Sequence, residues 1–189
     1  AALSVCLMRY ISDLHIGKVN PRHLRFGLSV ESKKYDLPRF IQDRLVTGQN
    51  IEAALAGVEP PFPGYKRTVT ALRHYLDISQ QEDSEKLPVP SKTLAPGDRY
   101  VGVARLTRWL QLLGDLPKDT PTPSDDLYHG AVVEGVKRFQ QRHTLPSDGR
   151  LGEQTLKQLN TPLSFRIRQL RLTLERWRWV PEEFPQPPI

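Results

Sequence analysis

Apolar residues recur at intervals of three and four positions along most of this chain, a spacing that places them on one face of a helix. The first such segment carries Leu3, Leu7, Tyr10, Ile11 and Leu14. Later segments carry Val103, Leu106, Leu110 and Leu113, then Val132, Val136 and Phe139, and finally Ile167, Leu170, Leu174 and Trp177. We therefore predict an all-α fold.

The composition changes between Gln80 and Pro96, from a charged run to a proline-rich one. This change predicts an exposed linker between two domains. A second unit of about 65 residues would follow, with three helices. Beyond it, Thr161 and Pro162 predict the N-cap and the first turn of a last helix.

The stretch from Leu94 to Asn160 resembles the peptidoglycan-binding module of bacterial cell-wall enzymes. The resemblance lies in the run from Val136 to His143, the Leu145-Pro146-Ser147-Asp148-Gly149 segment, and Leu151-Gly152 followed by Thr155. Its structural residues would be Phe139, Leu145 and Leu151 in the core, Gly149 and Gly152 at sharp turns, and Thr155 bonded to backbone at a helix start. Two positions depart from the pattern, because Thr144 replaces a usual glycine and Gly135 a common alanine.

The flanking segments resemble the scaffold domain of the large YcbB-like L,D-transpeptidases, through Arg9 to Leu14 and the run from Leu174 to Pro181 among others. The resemblance implies a helical scaffold with an inserted three-helix peptidoglycan-binding bundle. Its parts would be 1–93 as scaffold, 94–161 as module, 162–181 as a returning scaffold helix and 182–189 as a tail toward a catalytic domain.

The same resemblance implies that this chain itself is not an enzyme. The family's Ser-His-Gly-Cys-x-Arg signature is absent, and Cys6 shares the apolar face of the first helix, which predicts a buried and inert thiol. We therefore expect the catalytic domain to lie outside the chain and to be one of its partners. The resemblance also implies a periplasmic or cell-envelope location. The first residues lack the features of a signal peptide, and no run is long enough to cross a membrane, so membrane contact is expected only through other regions.

Glycan strands and stem peptides offer hydroxyls, amides and carboxylates, which exposed polar and basic side chains can bind. The candidates for such contacts lie near the end of the second module helix and the following turn. They are Arg138, Gln141, Arg142, Asp148 and Arg150. The alternative is that these residues only solvate a structural module. The histidines show no metal-ligand spacing and no phosphate loop is present, so we expect no metal and no cofactor.

Two other classes of function stay open. Lysine and arginine number 27 against 21 aspartates and glutamates, and the last helix is rich in arginine. A nucleic-acid-binding protein would share this excess, but the basic residues alternate with core positions, so no nucleic acid is expected. A non-catalytic interaction scaffold would instead expose an apolar patch near the last helix. We expect one of Trp177 and Trp179 to pack in the scaffold and the other to meet the catalytic domain.

Overall fold

The computed structural model describes residues 2–21, 33, 35–83 and 85–181, and these residues contain eight α-helices. In chain order they are α1 (Ala2–His15), α2 (Leu37–Phe40), α3 (Ile51–Ala56), α4 (Pro63–Ser79), α5 (Val103–Leu113), α6 (Ala131–Arg142), α7 (Glu153–Leu159) and α8 (Leu163–Trp179). A π-helix, Ile41–Val46, continues α2. The described residues contain no strand, only isolated bridges between Leu94 and Leu151 and between Arg99 and Leu127. The predicted all-α fold is confirmed.

The chain folds as two compact units. The first unit comprises Ala1–Arg73 and Ile167–Ile189, and the second comprises His74–Arg166. The second unit is thus wider than the predicted module at 94–161, whose limits stay a prediction. None of the described helices is both long and apolar enough to span a membrane.

The segment predicted as an exposed linker lies within the second unit, and most of its described side chains are exposed, but two buried residues anchor it there. Leu87 and Leu94 are each only 4% exposed. The side chain of Asn160 forms two hydrogen bonds with the backbone of Leu87, at 2.8 and 3.0 Å. The Tyr100 hydroxyl donates to the carbonyl of Pro88 at 2.9 Å. A few apolar and aromatic contacts therefore hold this segment against the second unit, despite its polar and proline-rich composition.

The core of the second unit is built from the predicted faces of α5 and α6. Leu106, Leu110, Val136 and Phe139 are all essentially inaccessible to solvent. Gly114 ends α5 in the left-handed conformation, at φ 80°, where a residue without Cβ is favoured. Gly135 has a packing role, because a Cβ there would lie 3.1 Å from Leu110 Cδ1. The helical period thus predicted this core correctly.

Helical spacing predicted buried residues less well for α1 in the first unit. Ile11 is buried, but Leu3 is 82% exposed and Tyr10 is also exposed. Cys6 is exposed as well, so the prediction of a buried thiol was wrong. Spacing identifies which residues share a face, whereas burial also needs another element to cover that face.

The N-terminus of α8 is capped differently from the prediction. The Thr161 hydroxyl donates backward to the carbonyl of Lys157 at 2.9 Å and caps nothing. Glu82, which lies far away in sequence, accepts a hydrogen bond from the backbone N–H of Leu163 at 2.8 Å. A carboxylate at this position also interacts favourably with the helix dipole.

A buried glutamate on α8 organises the first unit. One carboxylate oxygen of Glu175 accepts from the backbone N–H groups of Lys18 and Val19, at 2.6 and 2.8 Å. The other accepts from Arg178 at 3.1 Å. Nearby, the Trp177 ring stacks on Phe62 with 5.6 Å between centroids. Glu175 therefore ties the turn after α1 to α8 within this unit.

Trp177 and Trp179 are both half-buried, so neither residue is fully enclosed. The hypothesis that one of them meets a catalytic domain stays a prediction.

Candidate functional site

The turn between α6 and α7 is held by a network of hydrogen bonds in the second unit. Gly149 has φ 69°, the left-handed region that the Asp148-Gly149 pair predicts. A Cβ at Gly149 would lie 2.8 Å from Val133 Cγ1, so a side chain would also clash. The Tyr128 hydroxyl donates to the carbonyl of Gly149 at 2.7 Å, and burial raises the pKa of this tyrosine. The sequence prediction of a tight turn is confirmed.

The buried amide of Gln140 holds this turn together. Its Oε1 accepts from the backbone N–H of Gly149 at 2.9 Å. Its Nε2 lies 3.0 Å from Asp148 Oδ1, 3.0 Å from the carbonyl of Arg150 and 3.2 Å from the hydroxyl oxygen of Thr155. Gln140 is only 1% exposed, so these contacts replace all of its hydrogen bonds to water.

Two structural residues act differently from the prediction. The Thr155 hydroxyl interacts with the Gln140 amide rather than with backbone at the start of α7. Gly152 has φ −90°, which any residue adopts, so the predicted sharp turn does not require a glycine there. Phe139 and Leu151 are fully buried as predicted, whereas Leu145 is only half-buried.

A second polar cluster is centred on Asp115, in the loop after α5. Arg142 donates from Nε to Asp115 Oδ1 at 3.1 Å and from Nη2 to Oδ2 at 2.5 Å, a bidentate pair. Its Nη1 donates to the Tyr75 hydroxyl at 3.0 Å. Arg138 donates to the carbonyl of Asp115 at 2.8 Å. Burial lowers the pKa of Arg142, but the hydrogen bond and charge of Asp115 outweigh it, so the net shift is upward.

The end of α6 contains a strained residue and a perturbed histidine. Thr144 has φ 57°, an unfavourable conformation for a β-branched residue, at the position to which the sequence resemblance assigns a glycine. His143 packs on Phe139 with 4.2 Å between ring centroids. Burial, followed by the charges of Arg166 and Arg142, lowers the pKa of His143 to about 4.

The five candidate binding residues do not converge on one pocket. Asp148 and Arg150 line a depression of about 240 Å³, together with residues around Thr93 and Glu153. Gln141 is exposed on α6, outside that depression. Arg138 and Arg142 also lie outside it, on Asp115.

Two residues that organise this region were missed by sequence reasoning. Gln140 stands among the quoted motif residues, but its burial depends on the fold of the turn. Asp115 follows a glycine in a loop and carries no pattern of its own. No group of three or more metal-ligating side chains occurs in the described part of the chain.

The comparisons with known proteins agree with this division of the chain. Residues 1–72 match the family model described as "Scaffold domain". Residues 99–159 match the family model described as "Putative peptidoglycan binding domain". No curated protein was found to match the chain. The chain therefore contains a scaffold-type and a peptidoglycan-binding-type segment, and the second supports peptidoglycan as a partner and the cell envelope as its location.

Proposed function

We propose that this chain binds peptidoglycan and serves as the scaffolding part of an L,D-transpeptidase of the periplasm, positioning substrate or a catalytic domain for cross-linking. The observation that carries the proposal is the match of residues 99–159 to a peptidoglycan-binding model. The intact Gln140-centred turn supports it, because the segment that carries the resemblance is folded and internally bonded. The flanking match to a scaffold model supports the second half of the proposal.

The candidate binding residues within the module differ in whether their side chains already have bonding partners. Arg150 and Gln141 are exposed, and their side chains have no partner among the residues that the structure describes. Asp148 accepts two bonds through Oδ1 and presents an exposed carboxylate beside Arg150. Arg138 and Arg142 already bond to Asp115, so any contact with the polymer would use their remaining N–H groups.

The experiment is co-sedimentation of the chain with purified insoluble sacculi. The informative variant is Arg150→Gln combined with Gln141→Ala, since neither residue supports the fold through its side chain. We expect this double variant to be retained several-fold less than the wild type, because exposed charged and amide contacts contribute about 0.5–1.5 kcal/mol each. Arg99→Gln combined with Gln169→Ala is the matched control, because both residues are exposed and neither lines the depression beside Asp148. Equal retention of the test and control variants would exclude these two residues as contacts.

Substitutions of Arg142 and Asp148 are less informative for binding. Arg142→Ala would leave the carboxylate of Asp115, only 5% exposed, without its guanidinium partner. Asp148→Ala would remove an acceptor used by Gln140 and by the N–H of Arg150. Both changes perturb the fold, so lost retention would not identify a contact.

A pure interaction scaffold is the second candidate function. Leu172 on α8 is 51% exposed, which provides part of the apolar surface that such a scaffold needs. That function predicts no retention on sacculi.

A further inference from the structure

One groove of the second unit is lined by none of the residues that line the depression beside Asp148. Its volume is about 540 Å³, and it runs between α5, the segment before Leu87 and the end of α7. From α5 it is lined by Arg105, Arg108, Trp109 and Leu112, which follow the i, i+3, i+4, i+7 spacing of one helix side. None of these residues is among the predicted binding residues.

The floor of the groove is apolar and preorganised. Trp109 and Leu112 are partly buried and pack on the core of the unit. The Trp109 indole N–H donates to the carbonyl of Leu159 at 3.0 Å, which fixes the orientation of the ring. A ligand with an apolar portion would therefore meet a rigid aromatic surface, with little conformational entropy lost by the protein.

The charges around the groove are unequally compensated. Arg105 contacts Glu85 and lies 3.7 Å from Asp83, so these two acids share one cation. Glu82 accepts the N–H of Leu163 at the start of α8. By contrast, the side chains of Arg108 and Lys86 have no ionic or hydrogen-bonding partner within the described ranges. The lining is formally neutral, with three acids and three basic residues, but Arg108 and Lys86 are the basic residues whose charge is not engaged.

We propose that this groove binds the carboxylate-bearing stem peptide of peptidoglycan. Arg108 and Lys86 receive a stem carboxylate, and Trp109 with Leu112 receives the apolar part of the peptide. The inference rests on the proposed function, which supplies the polymer. The stem is favoured over the glycan because the sugar rings offer mainly neutral hydroxyl and amide groups, whereas free carboxylates match the two unpaired cations.

The test is a titration of the full chain with a soluble muropeptide released from sacculi by a muramidase. The indole N–H resonance of Trp109, one of three tryptophans, reports on the floor of the groove. We expect this resonance to shift on titration. The variant Lys86→Gln/Arg108→Gln should bind about tenfold more weakly, since charge-assisted bonds to a carboxylate are lost. A muropeptide with amidated carboxylates should show the same loss.

The matched control is Arg99→Gln/Lys118→Gln, which removes the same charge from exposed positions outside the groove. An unmoved Trp109 resonance, or equal affinity of the two double variants, would overturn the groove proposal. Retention of the wild type on sacculi at raised salt would then still support the proposed function. Conversely, a chain that binds the muropeptide at Trp109 but fails to bind sacculi would support the groove and contradict binding to the assembled wall.

Discussion

Replacing Gln140 by leucine should destabilise the second unit far more than the same change at its neighbour Gln141. Leucine roughly preserves volume, so the change removes polar contacts with little added cavity. The buried N–H of Gly149 and the carbonyl of Arg150 would lose their partner. Buried groups left without a hydrogen bond carry the full desolvation cost.

The magnitude follows from how many bonds the amide can make at once. Its oxygen engages the N–H of Gly149, and its two N–H groups face three acceptors, so three bonds form at a time. At about 1 kcal/mol per bond, with a further contribution from the orphaned N–H, the loss is about 3–4 kcal/mol. Such a loss is a large fraction of the stability of a small domain, about 5–15 kcal/mol.

The assay is urea unfolding followed by circular dichroism, with amide hydrogen exchange at Val136 and Phe139 to report on the core of this unit. Gln141 is exposed and makes no described side-chain bond, so Gln141→Leu should change stability by less than about 0.5 kcal/mol. A loss below about 1 kcal/mol for Gln140→Leu, or a similar loss for both variants, would refute the assigned role of the amide.

Three further predictions concern strain, pH and packing. Thr144→Gly should stabilise the chain by about 0.5–1 kcal/mol, because relief of left-handed strain exceeds the entropy that glycine adds to the unfolded state. Urea unfolding measures the change, and a loss of stability would contradict the prediction. The folded-state pKa of His143 is lowered to about 4 from 6.5, so the unfolded chain binds more protons between these values, and stability should fall as pH drops from about 7 to 4. After allowance for the partial exposure of His143, the loss of stability over this pH range is about 1–2 kcal/mol. The variant His143→Phe should remove this loss from unfolding curves measured between about pH 7 and pH 4. An unchanged pH dependence in the variant would exclude His143 as its cause. Gly64→Ala should lower the thermal midpoint of unfolding by an amount equivalent to about 1–3 kcal/mol, because the methyl group of the alanine would overlap the Trp177 indole. An unchanged midpoint would show that the two groups are not tightly packed.

The sequence could predict the second unit well because its core obeys a single local rule. Leu106, Leu110, Val136 and Phe139 follow helical spacing, and each helix face is covered by another. Gly149 was equally accessible to prediction, since the glycine of an Asp-Gly pair favours a tight turn with a positive φ. Both signals depend on residues close together in the chain.

The missed features depend on contacts between residues far apart in the chain. Glu82 caps α8 from a segment about 80 residues earlier, and nothing near Leu163 indicates it. The Asp115–Arg142 pair joins a loop to a helix end, so Arg142, a predicted contact residue, also has a structural role. The exposure of Leu3 likewise could not be predicted, because spacing does not say whether another element covers a face.

The most direct test of the central claim is retention of the wild-type chain on purified sacculi at low and at raised salt. Specific recognition through hydrogen bonds and an aromatic floor predicts retention that survives raised salt. Attraction based only on the net charge of +6 would be screened and lost. Retention that disappears at raised salt, or is never seen, would contradict the account and favour a scaffold that does not bind the wall.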